Sequence, residues 1–230
     1  MKLQRTFALN SKFLLPLAML YITINIASDV VAYRFYDFGH FAAISASGII
    51  YPLTFCISDS VAEVYGYSAA RKLIWAGLAC ELIFAIMINC LINLPLHSSV
   101  QNGKAFIITL GPILRFVLSC IIGDIAGFFL NVYCISKWKI IVHGRLFWLR
   151  SIISTSFGEL SMTFICIFLA FSGYNQLGTN LKIALTTYSL LVLYSLILVW
   201  PTWLLTVILK RKEGVDVYDI GTNFNPFYFT

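Results

Sequence analysis

Residues 112–133 of the chain read PILRFVLSCIIGDIAGFFLNVY, an apolar run with a single acidic residue, Asp124, near its middle. A helix of about 20 apolar residues crosses the hydrocarbon core of a bilayer. An ionised carboxylate at the bilayer centre costs about 2.5–3.5 kcal/mol on insertion scales, so such helices rarely keep one without a use for it. The stretch therefore predicts a membrane-spanning helix that turns Asp124 towards a polar interior.

Five other apolar stretches of comparable length fill most of the remaining chain. The predicted spans 1 to 6 are Phe13–Tyr33, Phe41–Val64, Ala70–Leu94, Pro112–Tyr133, Phe147–Gly173 and Ile183–Leu209. The 230 residues are 60% hydrophobic and 11% charged, with a mean hydropathy of +0.86, far from the soluble average. We predict an all-α, polytopic membrane protein, a bundle of six transmembrane helices over residues 13–209 with tails of residues 1–12 and 210–230.

The basic residues indicate how the spans are oriented. They are concentrated before span 1, between spans 2 and 3, around the link between spans 4 and 5, and after span 6. Because cytoplasmic loops carry an excess of Lys and Arg, this pattern places both termini in the cytoplasm. Span 1 is long and continuous, so we interpret it as an uncleaved span and not as a signal peptide. The pI near 9.0 then reflects topology, and no nucleic-acid partner is expected.

Cysteine and histidine residues do not form a recognisable site. The six cysteines lie one by one in apolar segments, without a Cys-x-x-Cys pair, and His40, His97 and His143 fall in different connecting segments. Structural zinc sites and redox motifs need these residues at close, characteristic spacings. We therefore expect neither a metal nor another cofactor.

Acidic residues occur at graded depths along the spans. From the outer end of span 1 to the inner end of span 2 they are Asp29, Glu81, Asp124, Glu159, Asp59 and Glu63. At about 1.5 Å of rise per residue, Glu81, Asp124 and Glu159 lie near the bilayer midplane. A series of six acids in five of the spans predicts a wet, enclosed chamber and favours transport.

Span 2 carries two acids on one helix face, because Asp59 and Glu63 are four residues apart. Two ionised carboxylates there would repel, so at least one must bind a donor, pair with Arg71, or hold its proton. Pro52 interrupts the same span and frees a backbone carbonyl. Broken helices in transporters often place such groups beside a ligand, and a plain proline kink is the alternative.

Spans 4 and 5 are rich in small and hydroxylated residues. In span 4, Gly123, Gly127 and Asn131 are spaced by four on one face. In the first half of span 5 the residues of this kind are Ser151, Ser154, Thr155, Ser156, Gly158, Ser161 and Thr163. Such residues let helices approach closely in membranes, but close packing does not account for Glu159, which needs a partner or an aqueous cavity.

The segment YPLTFCISDSVAEVYG, residues 51–66, followed by Arg71, resembles the signature of the queuosine precursor transporter family, also called the VUT family. Further similarities are Asn25 in span 1, residues 154–158 in span 5, and a tail with Tyr218-Asp219 and TNFNPF at residues 222–227. The sequence departs from the family where an aspartate is usual, at Asn131 in span 4 and Met162 in span 5. Asp124 and Glu159 are candidates to replace these aspartates.

The resemblance implies a multi-pass transporter of a bacterial inner (plasma) membrane that imports 7-deazaguanine bases for tRNA modification. Those bases are 7-cyano-7-deazaguanine, its aminomethyl form, and queuine. A carboxylate can accept both the N1–H and the exocyclic NH2 of a guanine-like edge. The expected substrate-binding residues are Asn25, Asp59, Glu63, Asp124, Asn131 and Glu159. The expected partners are the small-molecule base and the lipid bilayer, and whether two copies associate as a homodimer stays open.

The same residues also bear on several alternative functions. A substrate-binding subunit of an energy-coupling factor vitamin importer is also a small six-helix protein, and it remains the alternative. Proton coupling and facilitated diffusion are both compatible with the acids. The sequence has no P-loop, no His-Glu-x-x-His zinc helix and no histidine inside a span, so an enzyme is not expected. A structural role, with the acids holding helices together, explains one or two carboxylates better than six.

Overall fold

A computed structural model of the protein describes residues 11–32, 34–38, 42–95, 103–173 and 176–228. Over these ranges the fold is helical, with one short antiparallel hairpin in which Phe35 lies opposite Ser45. The elements are α1 Leu14–Val31, β1 Phe35–Phe38, β2 Ala42–Ser45, α2 Ser47–Ile50, α3 Pro52–Tyr65, α4 Tyr67–Ile92, α5 Gly103–Leu110, α6 Ile113–Ile141, α7 Phe147–Ala170 and α8 Leu177–Glu213. The first ten residues of the predicted N-terminal tail lie outside the described ranges.

Five helical segments among the described residues are long and apolar enough to cross a membrane. They are Leu14–Val31, Tyr67–Ile92, Ala105–Ile141, Phe147–Ala170 and Leu177–Glu213, which correspond to predicted spans 1, 3, 4, 5 and 6. The third of these joins α5 to α6 through a turn at Gly111 and Pro112. The protein is therefore a multi-pass helical membrane protein, as the hydropathy pattern predicted.

Predicted span 2 does not form one continuous helix, so the six-span prediction needs correction there. The region Phe41–Val64 contains strand β2, the single turn α2, a break at Tyr51, and then α3. Proline has no N–H to continue the bonding of α2, but it suits the first position of a helix, and α3 begins at Pro52. At about 1.5 Å per residue, the 14 residues of α3 span only about 21 Å, less than a bilayer core of about 30 Å.

Helix α3 is enclosed by the longer helices. Twelve of its 14 residues are buried, and it packs against α1, α4, α6 and α8. It also carries five buried polar side chains, which are Thr54, Ser58, Asp59, Ser60 and Glu63. Irregular or polar backbone at membrane depth is tolerated where protein, and not lipid, surrounds it. The break before α3 and the acids on it therefore lie in the interior of the bundle.

Helices α6 and α7 are in backbone contact. A Cβ atom added at Gly127 would lie 2.7 Å from the carbonyl oxygen of Gly158, and one added at Gly158 would lie 2.8 Å from the carbonyl oxygen of Gly127. A Cβ at Gly123 would meet the Met162 carbonyl oxygen at 2.8 Å. The small residues that the sequence placed on spans 4 and 5 thus allow close packing, and this contact fixes the relative positions of the polar side chains on the two helices.

The chain after α8 folds back across one end of the bundle. The N–H of Tyr67, the first residue of α4, donates to Asp219 Oδ2 at 2.9 Å, and the Arg71 guanidinium donates to the Asn225 carbonyl at 2.9 Å. Burial raises the pKa of the Asp219 carboxyl, an effect that the Tyr67 N–H opposes. The tail thereby covers the α3–α4 junction.

The start of α1 and the end of α8 lie close together at that same end of the bundle. The N–H of Phe13, just before α1, donates to Glu213 Oε1, at the end of α8, at 2.7 Å. The start of the first long helix and the end of the last one therefore lie on one side of the bundle. We call this side the closed end.

Replacing Gly127 by leucine is expected to destabilise the protein, because the new side chain would collide with the backbone of α7. Overpacking of this kind costs about 1–3 kcal/mol and sometimes more. Gly178, in the first turn of α8, is the matched control because a Cβ there meets nothing within 4 Å. Thermal unfolding in detergent should show a lower melting temperature for Gly127→Leu and no loss for Gly178→Ala. Equal melting temperatures for both variants would contradict the close contact.

Candidate functional site

One cavity, here called the outer cavity, lies at the end of the bundle opposite the closed end. It has a volume of about 120 Å³ and is lined by α1, β2, α2, α6, α7 and α8. Two carboxyl groups, Asp29 and Asp124, contribute to its wall. The hydroxylated lining residues are Ser28, Ser45, Ser47, Tyr51, Thr163 and Thr187, and the rest of the wall is mainly apolar. A mostly apolar cleft with a few polar groups is typical of small-molecule sites.

Tyr51 links the helix break to the outer cavity. It stands between α2 and α3, and its hydroxyl donates a short hydrogen bond to Asp124 Oδ1 on α6. Its ring contacts Phe55 and Phe128, with centroids 6.1 Å away in each case. The break at Pro52 therefore places an aromatic ring and its hydroxyl at the floor of the outer cavity.

Asp59 lies deeper, in a cluster that we call the Asp59 cluster, formed by α3, α6 and α7. Asn131 Nδ2 donates to Asp59 Oδ1 at 2.6 Å, while the hydroxyls of Ser151 and Thr155 donate to Oδ2 at 2.5 and 3.1 Å. The carboxyl is 1% exposed. Among the described residues, no lysine or arginine forms an ion pair with it. Three neutral donors thus offset the cost of burying this acid.

A small cavity of about 10 Å³ adjoins the Asp59 cluster, with room for about one water molecule. Ser151, Thr155 and Ser195 contribute hydroxyls to its wall. Ser195 on α8 also donates to the fully buried carboxyl of Glu159, at 3.1 Å to Oε2. Asp59 and Glu159 are therefore connected through one hydroxyl-lined space.

Glu63 belongs to a different environment, the closed-end charge cluster. Its Oε1 lies 2.7 Å from Lys210 Nζ and 3.8 Å from Lys139 Nζ, and its Oε2 lies 3.0 Å from the Arg150 guanidinium. Asp216 of the tail joins the cluster, 2.5 Å from Lys139 and 3.0 Å from Lys210. Burial alone would raise the pKa of Asp216, but the hydrogen bonds from the two lysines outweigh it and the pKa is lowered.

The predicted site residues are thus divided among several places. Asp59 and Asn131 are in direct contact, Glu159 joins their small cavity through Ser195, and Asp124 lines the outer cavity. Asn25 lies beside Gly77 on α4 and borders neither cavity. Arg71, one of the alternatives considered for the acids on span 2, donates instead to backbone carbonyls of the tail.

Sequence reasoning missed several residues that the structure brings to these regions. Ser151 and Thr155 were interpreted as packing residues, although both bind Asp59. Tyr51 was noted only as part of a motif, and its position next to Pro52 was the available signal. Ser195 is one of several hydroxylated residues spread along α8, and nothing in the sequence pattern distinguishes it from the others.

Comparison with known proteins places these regions within a family. A family model described as "Putative vitamin uptake transporter" matches residues 45–205, which include both cavities except for a few residues of the outer one. A "Probable queuosine precursor transporter" of Bacillus subtilis (strain 168) is 30% identical over 150 residues, 65% of this chain. The alignment spans 66% of that relative, slightly under two thirds of its length. No solved structure matches the chain significantly.

The family match covers well over half of the chain and contains the helix break, the Asp59 cluster and the small cavity beside it. It also agrees with the resemblance that the segment 51–66 carries. The chain belongs to the family described as "Putative vitamin uptake transporter".

Proposed function

We propose that this protein imports a queuosine precursor, a 7-deazaguanine base, across the bacterial inner membrane. The observation that carries the proposal is Asp59, a carboxyl buried within the bundle and held by neutral donors rather than by a cation. The name of the Bacillus relative supports the substrate class. In this proposal the protein is a transporter and performs no chemical step.

The chemistry of a guanine-like base suits the Asp59 cluster. The base carries an N1–H and an exocyclic NH2 side by side, and one carboxylate accepts both in a bidentate pair. Asn131, Ser151 and Thr155 now donate to the same two oxygens. A bound base would replace some of these neutral donors with its own, so the acid would stay satisfied when the site opens. The small cavity beside Asp59 must widen for this exchange.

The outer cavity provides the entrance. Its volume of about 120 Å³ and its mostly apolar wall suit a flat heterocycle, and the ring of Tyr51 offers a face for stacking. Asp29 and Asp124 would attract the aminomethyl group of a cationic precursor. From there the base would move past Tyr51 towards Asp59, along the enclosed side of α3.

The closed-end charge cluster and the tail form the opposite barrier. Basic residues are concentrated at this end, so in this proposal it faces the cytoplasm by the positive-inside rule. The described conformation is then open towards the outside and shut towards the cytoplasm. Alternating access requires that the ion pairs of Glu63 and the tail contacts separate when the base is released.

Replacing Asp59 by asparagine should abolish accumulation of radiolabelled 7-cyano-7-deazaguanine by cells that cannot make it. The amide keeps the shape of the side chain but loses the charge that binds both donors of the base. Purified wild-type protein in liposomes, without any ATPase module, should still exchange the base, which an energy-coupling factor subunit would not do. Normal uptake by a well-expressed Asp59→Asn variant would remove Asp59 from the site.

Two serines of α7 provide a matched pair for the same assay. Ser151 donates to Asp59, whereas Ser156 donates to the Ile152 carbonyl of its own helix. Loss of one hydrogen bond to a charged group, about 1.5–3 kcal/mol, should weaken base binding by Ser151→Ala roughly tenfold or more. Ser156→Ala should bind normally. Equal binding by the two variants would argue against the Asp59 cluster as the binding site.

Replacing Glu63 by glutamine should act mainly on stability. Removing one partner of a buried ion pair costs about 3–5 kcal/mol, and here the buried Arg150 would lose the carboxylate it pairs with, while Lys139 would keep only Asp216. Glu213→Gln is the control, since an amide oxygen can still accept the bond from the Phe13 N–H. Thermal unfolding should show a large loss for Glu63→Gln alone. A stable Glu63→Gln protein that no longer binds the base would instead assign Glu63 to the substrate.

A further inference from the structure

Glu81 of α4 is a buried acid that neither cavity uses. The residue is only 3% exposed, and its Oε2 has no hydrogen-bond partner among the described residues. It does not line the outer cavity or the small one. Buried polar groups are normally hydrogen-bonded, so an orphaned carboxyl oxygen at this depth requires an explanation.

A second buried carboxyl also has an oxygen without a hydrogen-bond partner. Asp29 of α1 is 6% exposed, its Oδ2 also has no hydrogen-bond partner, and it lines the outer cavity. Asp29, Glu81 and Asp124 interact electrostatically with one another, from three different helices. We call these three residues the acid trio. Its two orphaned oxygens belong to groups that repel each other if both are ionised.

The groups that face the acid trio are all acidic or neutral. The titratable side chains that interact with it are Tyr21 of α1, Tyr51 before α3, Cys80 of α4, Cys120 of α6 and Cys166 of α7. The basic residue of α6 on the outer side, Arg115, is nine positions before Asp124, about 13 Å along the helix, and donates to the Ser172 carbonyl. Among the described side chains, no cation forms an ion pair with the trio.

Two kinds of ligand would relieve this arrangement, a cation held between the carboxyls or protons on them. The described residues contain no group of three His, Cys, Asp or Glu side chains placed to hold a metal ion. A proton needs only one carboxyl oxygen, and it also removes the cost of a buried charge. The two carboxyl oxygens without a hydrogen-bond partner make the acid trio suited to bind a proton.

We propose that Glu81, together with Asp29 and Asp124, binds the proton whose movement drives import of the base. This inference rests on the proposed function and adds its coupling ion. Asp29 and Asp124 line the outer cavity, so a proton from outside can reach the trio through it. Glu81 is buried on α4, outside the cavity wall, and interacts electrostatically with both.

The trio also gives protonation a mechanical effect. When the carboxyls are neutral, α1, α4 and α6 no longer repel each other and can pack closely. When protons leave, the charges push the three helices apart and favour a different arrangement. A ligand shifts a conformational equilibrium by its differential affinity for the two states, and the proton would act in this way. In this scheme protons enter the trio from outside and are released to the cytoplasm together with the base.

The test uses purified full-length protein in liposomes with radiolabelled 7-cyano-7-deazaguanine and a clamped membrane potential. With acid outside, wild-type protein should accumulate the base up to about tenfold for each unit of pH difference, if one proton accompanies each base. A protonophore should reduce this to simple equilibration. Glu81→Gln should still exchange labelled for unlabelled base but lose the accumulation. Glu81→Asp, which keeps the acid, should retain it.

Glu213→Gln serves as the matched carboxyl-to-amide control, because Glu213 contacts Phe13 at the closed end, away from the trio. This variant should accumulate the base normally. Accumulation by Glu81→Gln, or wild-type accumulation that ignores the pH gradient, would overturn the inference while leaving the transport function intact. If Glu81→Gln fails to fold, the test uses wild-type protein alone, with a pH-sensitive dye in the liposome lumen that reports proton entry during influx of the base. Influx of base without acidification of the lumen would then overturn the inference.

Failure of the proposed function has a separate signature, which is wild-type protein that does not exchange the base at all. Proton binding can still be measured then, by infrared spectroscopy of the protein in lipid. The inference expects a carbonyl band of protonated carboxyl groups that disappears on raising the pH and is reduced in Glu81→Gln. A spectrum without such a titrating band would overturn the proton site.

Discussion

The structure depends on one constraint, that charged and irregular segments inside a bilayer must be surrounded by protein. Helix α3 is short, begins at a break and carries two acids, so lipid would be a poor environment for it. Four longer helices enclose it, and their outer faces carry the apolar side chains. The cavities and the charge cluster all lie against α3 or at its ends, because this enclosure is the part of the bundle that can be polar.

The two acids of α3 show that the surrounding helices determine the environment of each carboxyl group. Asp59 and Glu63 are four residues apart on one helix, and both are about 1% exposed. Neutral donors from α6 and α7 hold the carboxyl of Asp59, whereas three basic side chains and the tail surround that of Glu63. The first arrangement leaves an acid that can exchange its donors for those of a ligand. The second fixes a charge in place and closes one end of the bundle.

The tail after α8 makes the two ends of the bundle different. Its backbone carbonyls accept bonds from Arg71 and Trp75 of α4, and its Asp216 joins the cluster around Glu63. At the other end the hairpin, Tyr51 and the ends of four helices leave a cavity with two acids in its wall. A protein closed at one end and hollow at the other has the shape expected of one state of an alternating-access carrier, and the family assignment agrees with it.

The sequence by itself determined the class of protein, five of the spanning segments, the close packing of glycines and hydroxyls on spans 4 and 5, and the family. Each of these depends on local quantities, the length and polarity of a segment or the spacing of residues along it. The sequence also indicated the break at Pro52, but hydropathy alone counted Phe41–Val64 as a full span, because a broken helix and a strand have the same composition as a whole one.

Only the tertiary structure decided which acid meets which partner. The pairing of Asp59 with Ser151, of Glu63 with Arg150 and Lys210, and of Glu159 with Ser195 joins residues 36 to 147 positions apart. No periodicity along one helix contains that information, since it depends on how helices rotate and slide against each other. The separation of the polar residues into an outer cavity, the Asp59 cluster, the acid trio and the closed-end charge cluster is therefore a property of the packed bundle.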